Sequence, residues 1–514
     1  MKIVLISTLT GPSNLGLAIL SSVLKKAGYD VTMVFMATNK LTKNSYNKKE
    51  LKQLELICEG CDLVGISSFT ATSKRTIQII DFLKGKVPNM VWGGVHATLY
   101  PEDCIKYCDI VCVGEGEEAI LDLAKAIEKN KPIDNIKNLW IKKDNKIIRN
   151  PIRNMINDLD KIPFPDFEIE KQFVLKNGKL KGFEEKDFGG LIIFMAGRGC
   201  PYGCDYCSNN VFNRIYEGKR ECIVRKHSID YVIDVLAYIK NKFPNVKNLE
   251  ISDDSFSLRP IKEIKEFGEK YKKRVGLKFY CLIDARTLTE EKAKLLVDAG
   301  CQMVTIGIQS SERVNRQVYH RYITDEDVLR SSKILKSVSK NLATTYDIIT
   351  CNPYEKPEDI IALINLLRKI PKPYRLSVSA LLYFPGTNIT NRALKDKLIT
   401  EKDLFQEDTP DRMGFLLKRK KNLYLNLIST LMGGLAIDNK VGLINDSWFD
   451  YLLDEKRIEK NLKNPFFVIL FIRFFRVRDF VRNNIVKKII PESFKRRYIE
   501  IRLKNKILYN PVQN

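Results

Sequence analysis

Cys200, Cys204 and Cys207 stand in one short stretch, Gly197-Arg-Gly-Cys-Pro-Tyr-Gly-Cys-Asp-Tyr-Cys-Ser208, at the spacing C-x3-C-x2-C. Three thiolates on one tight loop can hold three corners of a cubic iron–sulfur cluster. A [4Fe–4S] cluster normally takes four cysteines, so three leave one iron open, and an open iron on a reducible cluster is a place for one-electron chemistry. Zinc is the competing reading, but a zinc site usually wants four ligands in two close pairs. No second pair lies nearby, and His227 is the nearest histidine. Disulfides are disfavoured because the N-terminus carries no signal-peptide pattern. Most of the other nine cysteines (Cys58, Cys61, Cys104, Cys108, Cys112, Cys222, Cys281, Cys301, Cys351) sit singly in apolar segments and read as reduced core residues.

The cysteine spacing resembles the signature of the radical S-adenosylmethionine (SAM) superfamily. The resemblance implies that the open iron binds the amino and carboxylate groups of SAM, and that one electron cleaves SAM to methionine and a 5′-deoxyadenosyl radical. It places the aromatic before the third cysteine, here Tyr206, near the adenine. Asp253 and Asp254 match an Asp-Asp-x-Phe segment beside the SAM amino group, where a carboxylate suits a positive donor. Gln309 stands where relatives often carry glutamate in a Gly-Ile-Glu-Ser sequence near the ribose. The chain departs from relatives at Cys351-Asn-Pro-Tyr-Glu355, where Gly-x-Pro-x-Glu is common. Arg225 could face a carboxylate or make a surface ion pair; Glu312 and His320 read as helix surface.

The elements that must position these residues alternate strand and helix. Residues 1–130 give short apolar strands at Lys2–Ser7, Asp30–Met36, Leu63–Ser67, Met90–Trp92 and Ile110–Val113, with helical segments between. That alternation predicts a parallel, doubly wound α/β sheet of the Rossmann-like kind, which binds ligands beyond the carboxyl ends of its strands. Small polar segments fall there: Gly11-Pro-Ser-Asn-Leu-Gly16, Ser67-Ser-Phe-Thr-Ala-Thr72, Gly93-Gly-Val-His96 and Gly114-Glu-Gly-Glu117. No G-x-G-x-x-G follows the first strand, so a dinucleotide site has little support. Trp92-Gly-Gly-Val-His-Ala-Thr-Leu-Tyr-Pro-Glu102 and Val113-Gly-Glu-Gly-Glu117 resemble the cobalamin (B12)-binding domain found ahead of many radical SAM enzymes. The resemblance implies cobalamin contacts from Asn14, Gly16, Ser67, Ser68, Gly93, Gly94, His96, Gly114, Glu115 and Gly116. The D-x-H-x-x-G motif that supplies a cobalt ligand in other B12 proteins is absent, and nothing places His96 as that ligand.

Residues 131–188 are polar and contain Ile162-Pro-Phe-Pro165, a pattern that suits a stiff linker. Residues 189–393 then offer six strand–helix repeats, with strands at Leu191–Met195, Asn248–Ile251, Leu277–Leu282, Met303–Ile308, Thr344–Ile349 and Leu376–Leu381. Six repeats suit a partial (β/α)6 barrel of the TIM type, whose chemistry gathers at the strands' carboxyl ends. Residues 394–514 are basic and mostly helical in pattern. The chain's net charge is +24, and Lys456 to Lys506 hold sixteen Lys/Arg against four Asp/Glu, or +12. Pro465-Phe-Phe-Val-Ile-Leu-Phe-Ile472 is too short for a bilayer span, which needs ~20 apolar residues. A docked helix is the favoured reading, with peripheral contact at an anionic membrane face as the other.

These features lead to the expectation of a cobalamin-dependent radical SAM enzyme of a reducing cytoplasm, most simply a methyltransferase acting on an unactivated carbon. A small-molecule, lipid or peptide substrate and an electron donor such as flavodoxin or ferredoxin are implied, and nucleic acid is disfavoured. Cyclisation, ring contraction or redox rearrangement in the same fold is the first alternative. A B12 or iron–sulfur sensor without catalysis is the second.

Overall fold

The computed structural model describes residues 1–9, 14–36, 45–219, 221–254, 256–405, 416–417 and 421–481. Part of the first glycine loop (residues 10–13) and the basic run beyond residue 481 therefore lie outside the described residues. The chain forms two compact units. The first holds residues 1–279, with returns at 319–321 and from 382; the second holds 280–318, 322–381 and the described residues from 416.

In the first unit, β1 (Lys2–Ser7), β2 (Asp30–Phe35), β3 (Leu63–Ser67), β4 (Met90–Gly93) and β5 (Ile110–Cys112) form a parallel sheet in the order 5-4-3-1-2. Alternate β1 residues serve opposite cores. Val4 and Ile6 pack with Ile79, Ile80 and Leu83 of α3 (Ser73–Leu83) and with Leu51 and Leu54 of α2 (Lys48–Cys58). Ile3 and Leu5 pack with Leu17 and Leu24 of α1 (Leu15–Lys26) and with later helix residues Ala119 and Leu123. A strand buried on both faces has to be apolar throughout, which is why Lys2–Ser7 reads as a strand from its sequence. β2 and β3 lie on opposite sides of β1, and the crossovers through α1 and α2 lie on opposite faces of the sheet, so the strand order reverses between β1 and β3. A crevice opens at such a switch point beyond the strands' carboxyl ends.

The polar segment expected as a linker carries four strands instead. β6 (Leu139–Lys143) and β7 (Lys146–Arg149) extend one edge antiparallel, and β8 (Gln172–Lys176) with β9 (Lys179–Gly182) extends the other. Edge strands expose one face to water, so their sequences stay polar and the apolar signal is diluted.

The radical half begins in the same unit with β10 (Leu191–Phe194), which pairs parallel with β13 (Asn248–Ile251). Between them, β11 (Gly197–Arg198) and β12 (Arg225–Lys226) form a short antiparallel ribbon that brackets the cysteine loop. β14 spans Lys278–Ile283. In the second unit, β15 (Cys301–Gln309), β16 (Ala343–Thr350) and β17 (Tyr374–Ala380) run parallel, with helices after each of the first two. The strand–helix repeat is thus that of the partial (β/α)6 barrel. The C-terminal region is mostly helical, but Gly434–Ile437, Lys440–Val441 and Ile444–Asn445 add short antiparallel strands beside β17. Along the helix Phe466–Val481, Val468 and Ile472 are buried while Phe466, Phe467, Leu470 and Phe474 are exposed. Among the described residues, no helix is long and apolar enough to cross a membrane.

Candidate functional site

The loop from β11 carries the three cysteines into helix α4 (Ser208–Ile215), with Cys207 as its N-cap residue. Unpaired amide N–H groups at a helix start favour a thiolate over a thiol. The loop is held from several sides. At its start, Asp253 Oδ1 accepts the N–H groups of Ala196 (2.6 Å) and Gly197 (3.1 Å). Gly199 has φ +92°, and a Cβ there would lie 2.1 Å from the Ile223 carbonyl oxygen, so a side chain is excluded. Asn213 and Asn210 of α4 donate to the carbonyls of Cys200 (3.0 Å) and Gly203 (2.7 Å). Asp205 is fixed by His320 Nδ1 at 2.7 Å and Asn388 Nδ2 at 2.8 Å. His320, expected as helix surface, therefore supports the loop.

Cys204 is buried, and Cys200 and Cys207 are half-buried. Burial pushes the Cys200 thiol up to about 12 and the Cys207 thiol up to about 11. A bound metal supplies the charge that turns such thiols into thiolates. Arg321 Nη1 lies 4.0 Å from Cys204 Sγ. Among the described residues, no group of three or more His, Cys, Asp or Glu could hold a single metal ion. In a cubane each sulfur takes a separate corner, which three thiols on one loop can supply. The donor set fits an iron–sulfur cluster with one open iron.

Tyr206 packs edge-on against Tyr319, ring centroids 4.8 Å apart. Asp253 and Asp254 border a cavity of about 370 Å³ with Gly197, Gly199 and Pro201. Burial raises the Asp253 carboxyl to about 6 against the lowering effect of Arg259. One oxygen of Asp253 is already engaged by the backbone of the loop. Gln309 belongs to the second unit, where it ends β15 with φ +70° at a register shift against β16. In the same unit, Ser310 Oγ donates to Glu355 at 2.5 Å, and Cys351 N–H donates to Asn426 Oδ1 at 3.1 Å. The departing Cys351–Glu355 segment is therefore fixed by contacts of its own.

A second cavity, of about 360 Å³, opens at the carboxyl ends of β1, β3, β4 and β5. Its walls include Gly16, Ser67, Gly93, Gly94, Gly114, Glu115 and Gly116, seven of the ten residues expected at a cobalamin site. It continues as an apolar slot past Leu5, Gly65, Val91 and Ile120. Backbone shapes the mouth. At Gly94 (φ +92°) a Cβ would lie 2.7 Å from Ser67 Oγ, and at Gly114 (φ +88°) it would lie 2.2 Å from the Tyr216 hydroxyl. Thr98 ties the two glycine loops together, donating to the Gly94 carbonyl and accepting from Gly114 N–H, each at 3.0 Å. A glycine-walled mouth over a deep apolar slot fits a broad, flat macrocycle with an extended tail, which is the shape of cobalamin.

Three expected residues do not reach this wall. Asn14 caps α1 through the Leu17 N–H. Ser68 accepts from Trp92 Nε1 at 2.8 Å. His96 is fully buried, packs on Trp92 at 5.5 Å and shares a hydrogen bond with Thr70. Burial holds the His96 imidazole down to about 4, so it is a neutral core residue. The sequence reading in turn passes over Thr98, Tyr216, Arg198, His227 and Tyr231. His227 stacks on Tyr231 at 4.0 Å, shares a hydrogen bond with Asp160 at 3.0 Å, and lines the cavity. Arg198 and Thr98 stand inside the quoted segments without being marked by them, and Tyr216 and His227 take partners far away in sequence, Glu115 and Asp160. Of the nine other cysteines, eight are buried and Cys222 is exposed.

Residues 195–367 match the family model of the radical SAM superfamily, and residues 1–124 match that of the B12 binding domain. An uncharacterized methyltransferase of Pyrococcus horikoshii is 27% identical over 395 residues, which cover 76% of this chain and 80% of that protein. An anaerobic magnesium-protoporphyrin IX monomethyl ester cyclase of Synechocystis is 27% identical over 207 residues, and the match spans only 38% of its length and 38% of this chain. The solved structure of the radical SAM methyltransferase TsrM from Kitasatospora setae superposes with a TM-score of 0.61 at 17% identity, covering 77% of this chain and 76% of TsrM. The fold and the paired domains define a radical SAM enzyme. The chain belongs to the branch of that superfamily that carries a B12-binding domain ahead of the radical domain, with a [4Fe–4S] cluster, SAM and cobalamin as its cofactors.

Proposed function

We propose that the chain transfers a methyl group to an unactivated carbon of a small-molecule substrate. The observation that carries this reading is the cysteine loop and the glycine-walled cavity meeting in one unit, with Arg198 two residues from Cys200 and in the cavity wall. When bound, the cofactors would supply a radical for removal of hydrogen from the substrate and a methyl group for transfer to the carbon left behind. The protein's part is to hold, aim and seal. Cys200, Cys204 and Cys207 hold the cluster, and Tyr206, Asp253 and Asp254 contact SAM. Gly16, Ser67, Gly93, Gly94, Gly114 and Gly116 cradle the corrin, and the apolar slot behind them excludes water and protects reactive species. Residues 1–130 form the B12 domain, whose sheet the strands within 131–188 extend, 189–393 the radical domain and 394–514 the C-terminal region. A flavodoxin or ferredoxin delivers the electron. The basic C-terminal region favours a lipid or otherwise anionic substrate, and its exposed phenylalanines support contact with an anionic membrane face.

The test uses SAM carrying a deuterated methyl group, supplied with reductant and cobalamin to extracts of a strain lacking the protein, with the purified protein added back. The expected product carries the label, with S-adenosylhomocysteine and 5′-deoxyadenosine formed in equal amounts. The cyclase relative supports ring formation as a second reading. Formation of 5′-deoxyadenosine without S-adenosylhomocysteine would replace methylation with that reading.

A further inference from the structure

Glu115 lies between Gly114 and Gly116 in the cavity wall, yet its carboxylate is already engaged. Arg225 binds it with both terminal nitrogens, Nη2 to Oε1 at 2.6 Å and Nη1 to Oε2 at 3.1 Å. Arg198 adds Nη1 to Oε1 at 3.1 Å, and its Nη2 reaches Glu117 Oε1 at 2.6 Å. The two arginines face each other across the β11–β12 ribbon. On the backbone side, the Glu115 N–H donates to the Tyr216 hydroxyl at 2.6 Å, and Tyr216 directly follows α4. Arg225 Nη1 also donates to the Ile156 carbonyl at 2.7 Å. Burial raises the Glu115 carboxyl, but hydrogen bonds and charge from Arg225 and Arg198 outweigh it and hold the acid below its usual range.

Two acids and two arginines make a cluster of no net charge, largely removed from water; the Arg225 side chain is 3% exposed. Desolvation takes back most of the Coulomb gain in such clusters, and apolar replacements are often as stable. Stability alone therefore gives a weak reason for four ionic groups here. Registry gives a better one. Planar, forked guanidinium groups fix both distance and angle to a carboxylate, which an apolar contact does not. One end of this cluster is the turn that walls the cavity, and the other lies two residues before Cys200.

We propose that Glu115, Arg198 and Arg225, with Glu117 and Tyr216, are positioning residues that set the separation and orientation of the cobalamin site relative to the iron–sulfur site. The proposal rests on the two-cofactor reading above and names the device that aligns them.

Both reduced [4Fe–4S]+ and cob(II)alamin carry one unpaired electron, so their separation is readable by pulsed electron paramagnetic resonance on the full chain, loaded anaerobically with iron, sulfide and cobalamin. The wild-type protein should give one narrow distance. Glu115→Gln, nearly the same shape without the charge, should keep iron and cobalamin at wild-type stoichiometry while the distance distribution broadens or shifts. The rate at which cob(I)alamin takes the methyl group of SAM should fall about 100-fold, the cost of a misplacement of roughly 1 Å. Arg198→Lys, which keeps the charge and loses the fork, should fall between. A loaded Glu115→Gln protein with the wild-type distance and rate would overturn the proposal, even if its melting temperature dropped. Should Glu115→Gln fail to fold, Glu117→Gln removes only the outer contact to Arg198, and an unchanged distance there overturns it equally. Wild-type protein that binds only one of the two cofactors would instead refute the two-cofactor reading.

Discussion

Around the cysteine loop, side chains are the proposed ligands and the backbone serves to aim them; around the cavity of the N-terminal sheet, the backbone is the wall and side chains brace it from behind. The two regions belong to one unit and share Arg198, but they fail differently. A ligand side chain has no substitute, since the thiolate is the bond to the metal. A glycine wall depends on what is missing, so the smallest addition is the most informative change. Part of each region also rests on polar residues distant in sequence: Asp253, His320 and Asn388 for the loop, Thr98 and Tyr216 for the cavity.

The contrast is sharpest for Cys204→Ala. Cluster formation and SAM cleavage should fall below detection, while cobalamin affinity, read by optical titration, stays at the wild-type value. Loss of both would break the separation between the two regions. Gly114→Ala should do the reverse. Its Cβ would lie 2.2 Å from the Tyr216 hydroxyl at a φ of +88°. Cobalamin binding should weaken about 100-fold, or ~3 kcal/mol, with iron content unchanged. Tyr216→Phe removes the acceptor of the Glu115 N–H without adding bulk, so the expected loss of affinity is about fivefold, near 1 kcal/mol.

The first region is legible in the sequence because metal ligands must be particular residues at particular spacing, and Cys200, Cys204 and Cys207 satisfy that within eight positions. The second is legible as glycine-bearing segments after apolar strands. Seven of ten expected contacts line the cavity, since turns at strand ends have few places to go. His96 misleads because its neighbours Gly93 and Gly94 do reach the wall, while one turn of helix carries the imidazole into the core beside Trp92. The strands within residues 131–188 escape a sequence reading because edge hairpins such as β6–β7 and β8–β9 keep one wet face, and their polar residues hide the apolar alternation.

The smallest expected effect lies in the second unit and concerns stability alone. Glu355 is 1% exposed, and burial raises its carboxyl from 4.5 to about 8, against the hydrogen bond from Ser310. The folded chain therefore holds a proton in that window that the unfolded chain releases. The stabilisation is complete below pH 4.5 and is lost as pH rises towards 8, by at most roughly 1.4 kcal/mol per pH unit. Glu355→Gln should flatten the dependence of the melting temperature on pH across that window. An unchanged slope would mean that Glu355 is ionised in the folded chain.

The most direct test of the central claim is the electron paramagnetic resonance spectrum of the anaerobically reconstituted, reduced protein, recorded with and without SAM. Three thiolates leaving one iron open predict a [4Fe–4S]+ signal whose g values shift when SAM is added. Protein that holds zinc in place of iron, or a cluster signal indifferent to SAM, would contradict the account.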